Sequence, residues 1–377
     1  MSEHQYYEFQ AVDRPLSEAE RKELRALSSR ARITATSFTN HYEWGDLKGD
    51  PKKLVERYFD LHLYVANWAV RRLMIRLPRR LVDMSRLESF LRDVHWVEVS
   101  VGSENLIVDM LGEDVETDID EWDDASGWLA ALAPLRADVL SGDFRLFYLV
   151  WLAAVAYGGV DDDAVEPLPG IGPLSGALEA FAEFFALDVD LVAAAAERTW
   201  GAGDVGVSRG ASRRVLEAMS GREKTELLLR LVDGDPHVAV ELKNRLRASG
   251  PRPSAGLRTA GDLRARAAVL RGERERLRAE KLEAERRRKE KDAQKARRAR
   301  LEAVKRRGSA VWAQIEGEIE RRNASGYDTA LGLLADLEAI AAEQGTGADF
   351  ARRLDGIRER HVRKAKFIDR LKGLAAR

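Results

Sequence analysis

The sequence predicts an α+β fold: an N-terminal, mixed and mostly antiparallel sheet domain, then an α-helical domain, a long charged helix and a C-terminal helical hairpin. Three observations predict it. Short alternating segments fill residues 1–115, apolar residues recur at spacings of three and four in residues 125–249, and charged helix formers dominate residues 258–322. We therefore divide the chain into an α+β domain (1–115), an acidic α-helical domain (125–249), a long charged helix (258–322) and a C-terminal helical hairpin (323–377).

The first domain begins with alternation in residues 5–12, which predicts a strand with Tyr7, Phe9 and Ala11 on one face. A capping box formed by Ser17 and Glu20 then opens a helix that extends to about residue 30. The later elements are read in the same way. They are a Thr-rich and aromatic stretch (33–44), a short helix from Pro51 to about residue 59, strands at 61–67 and 72–77, and a hairpin of strands 96–101 and 106–110 around Gly102-Ser103. This pattern predicts about five strands.

Helical periodicity dominates the next region. An acidic loop (113–124) precedes it, and a Gly/Pro-rich linker (250–254) follows it. The predicted helices are 128–140, 144–156, 174–186, 212–232 and 236–247, and the Ala-rich residues 191–200 are expected to form a short turn or helix.

Opposite charges concentrate in two parts of the chain. Residues 104–190 contain 20 acidic and two basic residues, whereas residues 271–307 contain 17 basic and eight acidic residues. Leu263, Leu270 and Leu277 are spaced by seven, but Lys291 and Arg298 later occupy the same heptad position. The sequence therefore predicts a solvated charged helix and no sustained coiled coil. Two final helices are expected at 327–343 and 348–374.

Composition excludes several classes of site. The sequence contains no cysteine, so disulfides, thiolate zinc sites, iron–sulfur clusters and cysteine nucleophiles are excluded. The longest apolar run, residues 144–157, is shorter than the roughly 20 residues that a membrane-spanning helix needs, so it is interpreted as a buried helix. The first residues lack the order of a signal peptide. We expect a cytoplasmic protein that does not contact membranes and needs no cofactor.

The charged helix is the first candidate site, because clustered Lys and Arg can neutralise phosphates and release counterions. Glu residues lie three or four positions from many of these cations, and each such pair supports a helix by roughly 0.2–0.5 kcal/mol while weakening the field that a phosphate meets. The segment can therefore also be a solvated spacer, or can dock on an acidic protein surface, including residues 104–190 of this chain. The candidate nucleic-acid or polyanion contacts are Arg286, Arg287, Arg288, Lys289, Arg297, Arg298, Lys305, Arg306 and Arg307.

The N-terminal domain holds the second candidate, a cluster of polar and aromatic residues. Such residues can line a ligand pocket or close a small core with satisfied hydrogen bonds. The six histidines show no metal-ligand spacing, and the acidic run 113–124 lacks the glycine and terminal glutamate of an EF-hand loop, so no metal site is predicted. The pocket candidates are His41, Tyr42, Trp44, Asp46, His62, Asn67 and Trp68.

Several short segments carry a resemblance to a known family. They are Tyr6-Tyr7-Glu8-Phe9, Asp13-Arg14-Pro15-Leu16, Tyr42-Glu43-Trp44-Gly45-Asp46, Asn67-Trp68, Leu227-Leu228-Leu229-Arg230-Leu231 before Gly234-Asp235-Pro236, Tyr327-Asp328 with Leu333-Leu334, and Arg360-His361 with Lys364. Together they resemble an uncharacterised bacterial family whose members continue with a helical region, a charged arm and a terminal hairpin. The terminal pieces are similar to helical tails beside SWIM-type zinc fingers in bacterial proteins. The resemblance implies this architecture and brings no activity with it.

These patterns favour a non-enzymatic interaction or scaffold protein that bridges partners, proteins above all, through the charged helix. The first alternative is a nucleic-acid-binding accessory protein that uses the basic segment. The second is an enzyme or ligand-binding domain in the N-terminal region, for which the sequence names no acid, base or nucleophile.

Overall fold

The computed structural model describes residues 4–115, 125–199, 209–247 and 256–375. The chain forms two compact units, Met1–Arg274 (the first unit) and Glu275–Arg377 (the second unit). The predicted linker 250–254 and most of the predicted acidic loop 113–124 lie outside the described residues.

The first unit is built around a seven-stranded antiparallel sheet, which confirms the predicted α+β class. The strands are β1 Gln5–Gln10, β2 Arg32–Ile33, β3 Ser37–Tyr42, β4 Leu61–Ala66, β5 Val70–Pro78, β6 Val97–Val101 and β7 Asn105–Gly112. Their order in the sheet is β2-β3-β1-β4-β5-β7-β6. The two strands beyond the expected five arise because the Thr-rich stretch folds into β2 and β3.

Both faces of the sheet are covered. Strand alternation sends Tyr7 and Phe9 to one face, where they pack with Leu24 of the first helix and Leu54 of the second. The opposite face, which includes Tyr6, shares one large core with the helices of residues 128–196. The predicted α+β and acidic helical regions therefore bury their apolar residues together.

The helices begin where the sequence supplies caps. Ser17 and Glu20 form the predicted capping box of α1, Asp50 caps α2 with Pro51 in its first turn, and Ser220 with Glu223 forms a second capping box. The helices of the first unit are α1 Glu18–Leu27, α2 Pro51–Arg57, α3 Met84–Leu91, α4 Trp128–Leu132, α5 Pro134–Leu140, α6 Arg145–Ala156, α7 Gly176–Phe184, α8 Val189–Ala196, α9 Arg209–Ala218, α10 Gly221–Val232 and α11 Val238–Arg247.

The long charged helix, α12, spans Ala260–Arg307 without a break at Gly272. Thr259 and Asp262 cap its start by reciprocal side-chain to backbone hydrogen bonds, and Leu263 is buried in the core of the first unit. It ends before Gly308, whose φ of 54° lies in the left-handed region that glycine tolerates. The predicted helix 258–322 is thus two helices, and the second of them, α13, spans Ala310–Glu320.

The second unit has its own core, in which Val304 near the end of α12 packs with residues such as Ile315 and Phe367. The second helix of the predicted hairpin is divided, because residues 361–364 turn the chain. The remaining helices are α13 Ala310–Glu320, α14 Ala324–Gln344, α15 Gly347–Arg360 and α16 Ala365–Ala375.

Within the described residues, no single helix has the length and apolar character needed to cross a membrane. Trp128–Leu140 and Arg145–Ala156 meet that test only when they are joined, and they are bent by 110°.

Candidate functional site

The middle of α12 is fully solvated: every residue from 271 to 300 is exposed. A helix that is polar on all sides gains no stability from burying an apolar face, and ion pairs along its own surface can support it. The structure shows four such pairs at a spacing of four residues. They are Arg276–Glu280, Glu283–Arg287, Glu285–Lys289 and Arg286–Glu290, with N–O distances of 2.5–3.3 Å.

A second set of cations in this stretch has no ion pair or hydrogen bond to any residue that the structure describes. Five of them recur at spacings of seven, three, four and three residues, which places them along one side of the helix. We call this set the cation row. Asp292, which also has no ion pair within the described part of the chain, borders it. The cation row consists of Lys281, Arg288, Lys291, Lys295 and Arg298.

The predicted polyanion contacts divide between these two sets. Arg286, Arg287 and Lys289 belong to the ion pairs, and Arg307 donates a hydrogen bond to Gln314. Arg288 and Arg298 lie in the cation row. Arg297, Lys305 and Arg306 lie outside the row and likewise pair with no residue in the described ranges. Sequence reasoning missed Lys281, Lys291 and Lys295 because it looked for adjacent basic residues, whereas their helical spacing identifies them.

Two cations nearer the start of α12 pair with acidic side chains outside this helix. Arg271 binds Asp188 and Asp190 at 2.5 and 3.1 Å, and Arg274 binds Asp190 at 2.8 Å. Hydrogen bonds from Arg274 lower the pKa of Asp190, although its partial burial opposes this effect. The basic helix therefore contacts the acidic segment of its own chain at this end, as one alternative from the sequence expected.

A shallow groove of about 460 Å³ lies beside the cation row and is lined by Glu280, Glu283, Ala284, Arg287, Arg288 and Lys291. All six residues are exposed and belong to one helix. An open groove of this kind does not enclose a small ligand, but it leaves the row accessible to a large one.

Part of the predicted N-terminal pocket gathers around Tyr7. The Tyr7 hydroxyl donates to Asp46 at 2.6 Å, and the Tyr64 hydroxyl donates to Gln5 at 3.0 Å. Burial, together with the hydrogen bond to Asp46, raises the pKa of Tyr7, and burial raises the pKa of Tyr64 to about 12. Both phenols therefore stay protonated near neutral pH and act as hydrogen-bond donors.

His62 lies next to this cluster and is fully buried. Its ring stacks on Phe9 with centroids 4.0 Å apart, and its Nδ1 lies 3.0 Å from the Glu8 carbonyl oxygen. The Nε2 atom has no hydrogen-bond partner among the described residues. Because burial lowers the pKa of His62 to about 3, the ring is neutral near pH 7 and cannot serve there as a proton donor in acid catalysis.

The other predicted pocket residues do not converge on this point. His41 is paired with Tyr6 across β1 and β3, so it lies on the opposite face of the sheet from Tyr7. Asn67 accepts a hydrogen bond from the His4 backbone at 3.1 Å. Trp44 and Trp68 are 74% and 44% exposed. Tyr42, by contrast, packs edge-on against Tyr7.

His62 should make the protein sensitive to mild acid. The unfolded chain protonates this ring below pH 6.5, whereas the folded chain does so only near pH 3, so folding stability falls as the pH falls between these values. We expect a loss of about 2 kcal/mol between pH 6.5 and 5, at roughly 1.4 kcal/mol per pH unit. Urea unfolding at the two pH values measures it. Between these two pH values, the free energy of unfolding of the His62→Phe variant should fall by about 2 kcal/mol less than that of the wild type. Equal decreases in both proteins would contradict the assignment of the acid sensitivity to His62.

Within the described ranges, no group of three or more His, Asp or Glu side chains could hold a metal ion. Residues 116–124 of the predicted acidic run lie outside these ranges. Comparison of the chain with protein-family models, with curated proteins and with solved structures finds no match. The comparisons therefore do not show that the chain belongs to the bacterial family that its sequence resembles.

Proposed function

We propose that this chain is a non-enzymatic interaction protein that binds a nucleic acid through the cation row of α12. The observation that supports the proposal is that the solvated stretch of this helix contains two sets of cations, one paired and one unpaired. Arg276, Arg286, Arg287 and Lys289 each pair with an acidic side chain four residues away and support the helix, whereas the five cations of the row pair with no described residue. A helix that acted only as a spacer would require the ion pairs but not this surplus.

The geometry of the row favours a polyanion over a small anion. From Lys281 to Arg298 it extends for about 26 Å along the helix at about 1.5 Å per residue. A single phosphate reaches one or two of these side chains, whereas a nucleic-acid duplex presents one negative charge per roughly 1.7 Å of its axis. The row has no exposed aromatic side chain, so it should bind through the phosphate backbone with little sequence preference.

Fluorescence anisotropy with labelled duplex DNA and RNA, recorded at several salt concentrations, tests the proposal. The row variant changes Arg288, Lys291, Lys295 and Arg298 to Gln, which keeps helix propensity high. We expect the slope of log K against log salt to fall by roughly 3 to 4, because each lost phosphate contact contributes about 0.9 for DNA.

The matched control changes four paired cations, Arg276, Arg286, Arg287 and Lys289, to Gln, so that its net charge equals that of the row variant. It should keep most of the slope, and circular dichroism should show that both variants remain helical. Asp292→Asn should strengthen binding, because it removes the acidic residue beside the row. Equal losses in the row variant and the control would show that only net charge matters and would contradict the role of the row.

A second candidate function is that of a scaffold, supported by the two cores to which α12 contributes. Leu263 belongs to the core of the first unit and Val304 to that of the second, so this helix is a structural part of both. If this chain binds no nucleic acid even at low salt, the scaffold is the better proposal. The exposed stretch of α12 would then be its connecting segment.

A further inference from the structure

The sheet ends in an edge strand, β6, which pairs only with β7. Leu111 N donates a hydrogen bond to Trp96 O, and Gly102 N donates one to Asn105 O. These two bonds determine which residue pairs along β6 and β7 are the hydrogen-bonded ones. Because hydrogen-bonded pairs alternate along an antiparallel ladder, Glu98 and Ser100 bond to β7. The backbone N–H and C=O groups of the three valines in β6 therefore point away from the sheet.

These outward groups are unpaired. In the described part of the chain, Val97, Val99 and Val101 donate and accept no hydrogen bond on the open side, and the Val101 side chain is 50% exposed. Natural edge strands are usually protected by shortness, proline, lysine or a bulge. The other edge, β2, has only two residues, whereas β6 has five and the sequence Val-Glu-Val-Ser-Val.

We propose that β6 pairs with β6 of a second copy of this chain in an antiparallel arrangement centred on Val99. In this register Val97 faces Val101 of the second copy, and Val99 faces its own equivalent. Each of the three outward valines then exchanges both of its backbone hydrogen bonds, which gives six new bonds and leaves none of the outward groups unused.

The side chains are also self-complementary in this register. On one face Glu98 lies opposite Ser100 of the second copy, so no like charges face each other. On the other face the valines form a continuous apolar row, which covers the exposed Val101. An unrelated extended peptide would satisfy the backbone as well, but the three valines are placed symmetrically about Val99, so a second copy matches them without any further requirement.

Sedimentation equilibrium of the full chain from micromolar to submillimolar concentrations tests the pairing. The wild type should be in monomer–dimer equilibrium, and Val99→Pro should be monomeric. In the single chain, the only hydrogen-bonding group that proline removes is an N–H that points to solvent, a change that edge strands tolerate. The control Val99→Thr keeps that N–H and should still dimerise. Melting temperatures show whether each variant is folded.

If the proline variant fails to fold, two substitutions of Ser100 still test the pairing. Ser100→Glu places two pairs of like charges across the interface and should weaken the dimer roughly tenfold, whereas Ser100→Lys faces Glu98 and should preserve or strengthen it. A wild type that stays monomeric, or a dimer that responds equally to Glu and Lys at this position, would overturn the proposal.

Discussion

Replacing Glu166 with Gln should destabilise the first unit by roughly 3–5 kcal/mol, the usual result of removing one partner of a buried ion pair. The Glu166 side chain is 0% exposed, and it binds the Arg258 guanidinium at 2.9 Å. Gln keeps the shape but removes the negative charge, so Arg258, itself 11% exposed, would be left as a buried cation without its counter-ion.

The surroundings of Glu166 explain why the loss cannot be repaired locally. Its carboxylate also accepts the backbone N–H of Arg258 at 2.8 Å and the Tyr148 hydroxyl at 2.5 Å. Burial and this hydrogen bond raise the pKa of Tyr148, so the phenol remains a donor that requires an acceptor. Arg258 in turn donates to the carbonyl oxygens of Ala194 and Ala195 at the end of α8. The group thus fixes the chain immediately before α12 to the helical core.

Urea unfolding followed by tryptophan fluorescence measures this loss, because seven of the eight tryptophans precede residue 275 and only Trp312 follows it. The Tyr148→Phe variant removes one hydrogen bond to the carboxylate and should cost about 1.5–3 kcal/mol. Arg198→Gln is the control: that side chain is 47% exposed and lies 3.8 Å from Glu166, so its loss should cost less than about 1 kcal/mol. A Glu166→Gln protein as stable as the control would show that the buried pair contributes little.

Much of the architecture follows from local patterns in the sequence. The cap Ser17 and the proline Pro51 identify helix starts, and the alternation around Tyr7 identifies a strand and its buried face. The charge pattern of residues 271–300 predicts a solvated helix because no apolar stripe is present to bury. These features depend on neighbours a few residues apart, so a single sequence reveals them.

The remaining features depend on distant contacts. Nothing near Glu166 in the sequence indicates that Arg258 will be its partner. The stretch from Gly170 to Gly176 leads into α7, and Gly172 is required there because a Cβ would lie 2.1 Å from the Ala196 carbonyl oxygen, a contact that the local sequence does not reveal. The spacing of the cation row can be read from the sequence, but which cations of this stretch are paired appears only once side chains have positions.

The second large effect is expected at Asp60, where replacement by Asn should again destabilise the first unit by roughly 3–5 kcal/mol. Asp60 is 1% exposed and lies between α2 and β4. One carboxylate oxygen accepts from Arg76 at 2.7 Å and from Arg136 at 3.3 Å, and the other accepts the backbone N–H of Val12 at 2.6 Å. Asn cannot accept all of these bonds, because one of its terminal atoms is a donor.

Asp13 is the second acid of this network and limits what Asp60 alone can contribute. It binds Arg136 at 2.6 Å and His237 at 3.0 Å. Burial by itself would raise the pKa of Asp13, but hydrogen bonds from His237 and Arg136 outweigh burial and hold that pKa well below its usual range. Arg136 therefore keeps a charged partner when Asp60 is lost, whereas Arg76 does not.

This difference predicts the outcome of a double-mutant cycle measured by urea unfolding. Arg76→Met removes the cation that Asp60→Asn leaves unpaired, so the double variant should be less destabilised than the sum of the single variants by about 1–3 kcal/mol. The same cycle with Arg136→Met should show a smaller coupling, because Asp13 remains bound to that guanidinium in the Asp60 variant. Equal couplings in the two cycles would mean that the four charges act as one unit and that Asp60 has no preferred partner.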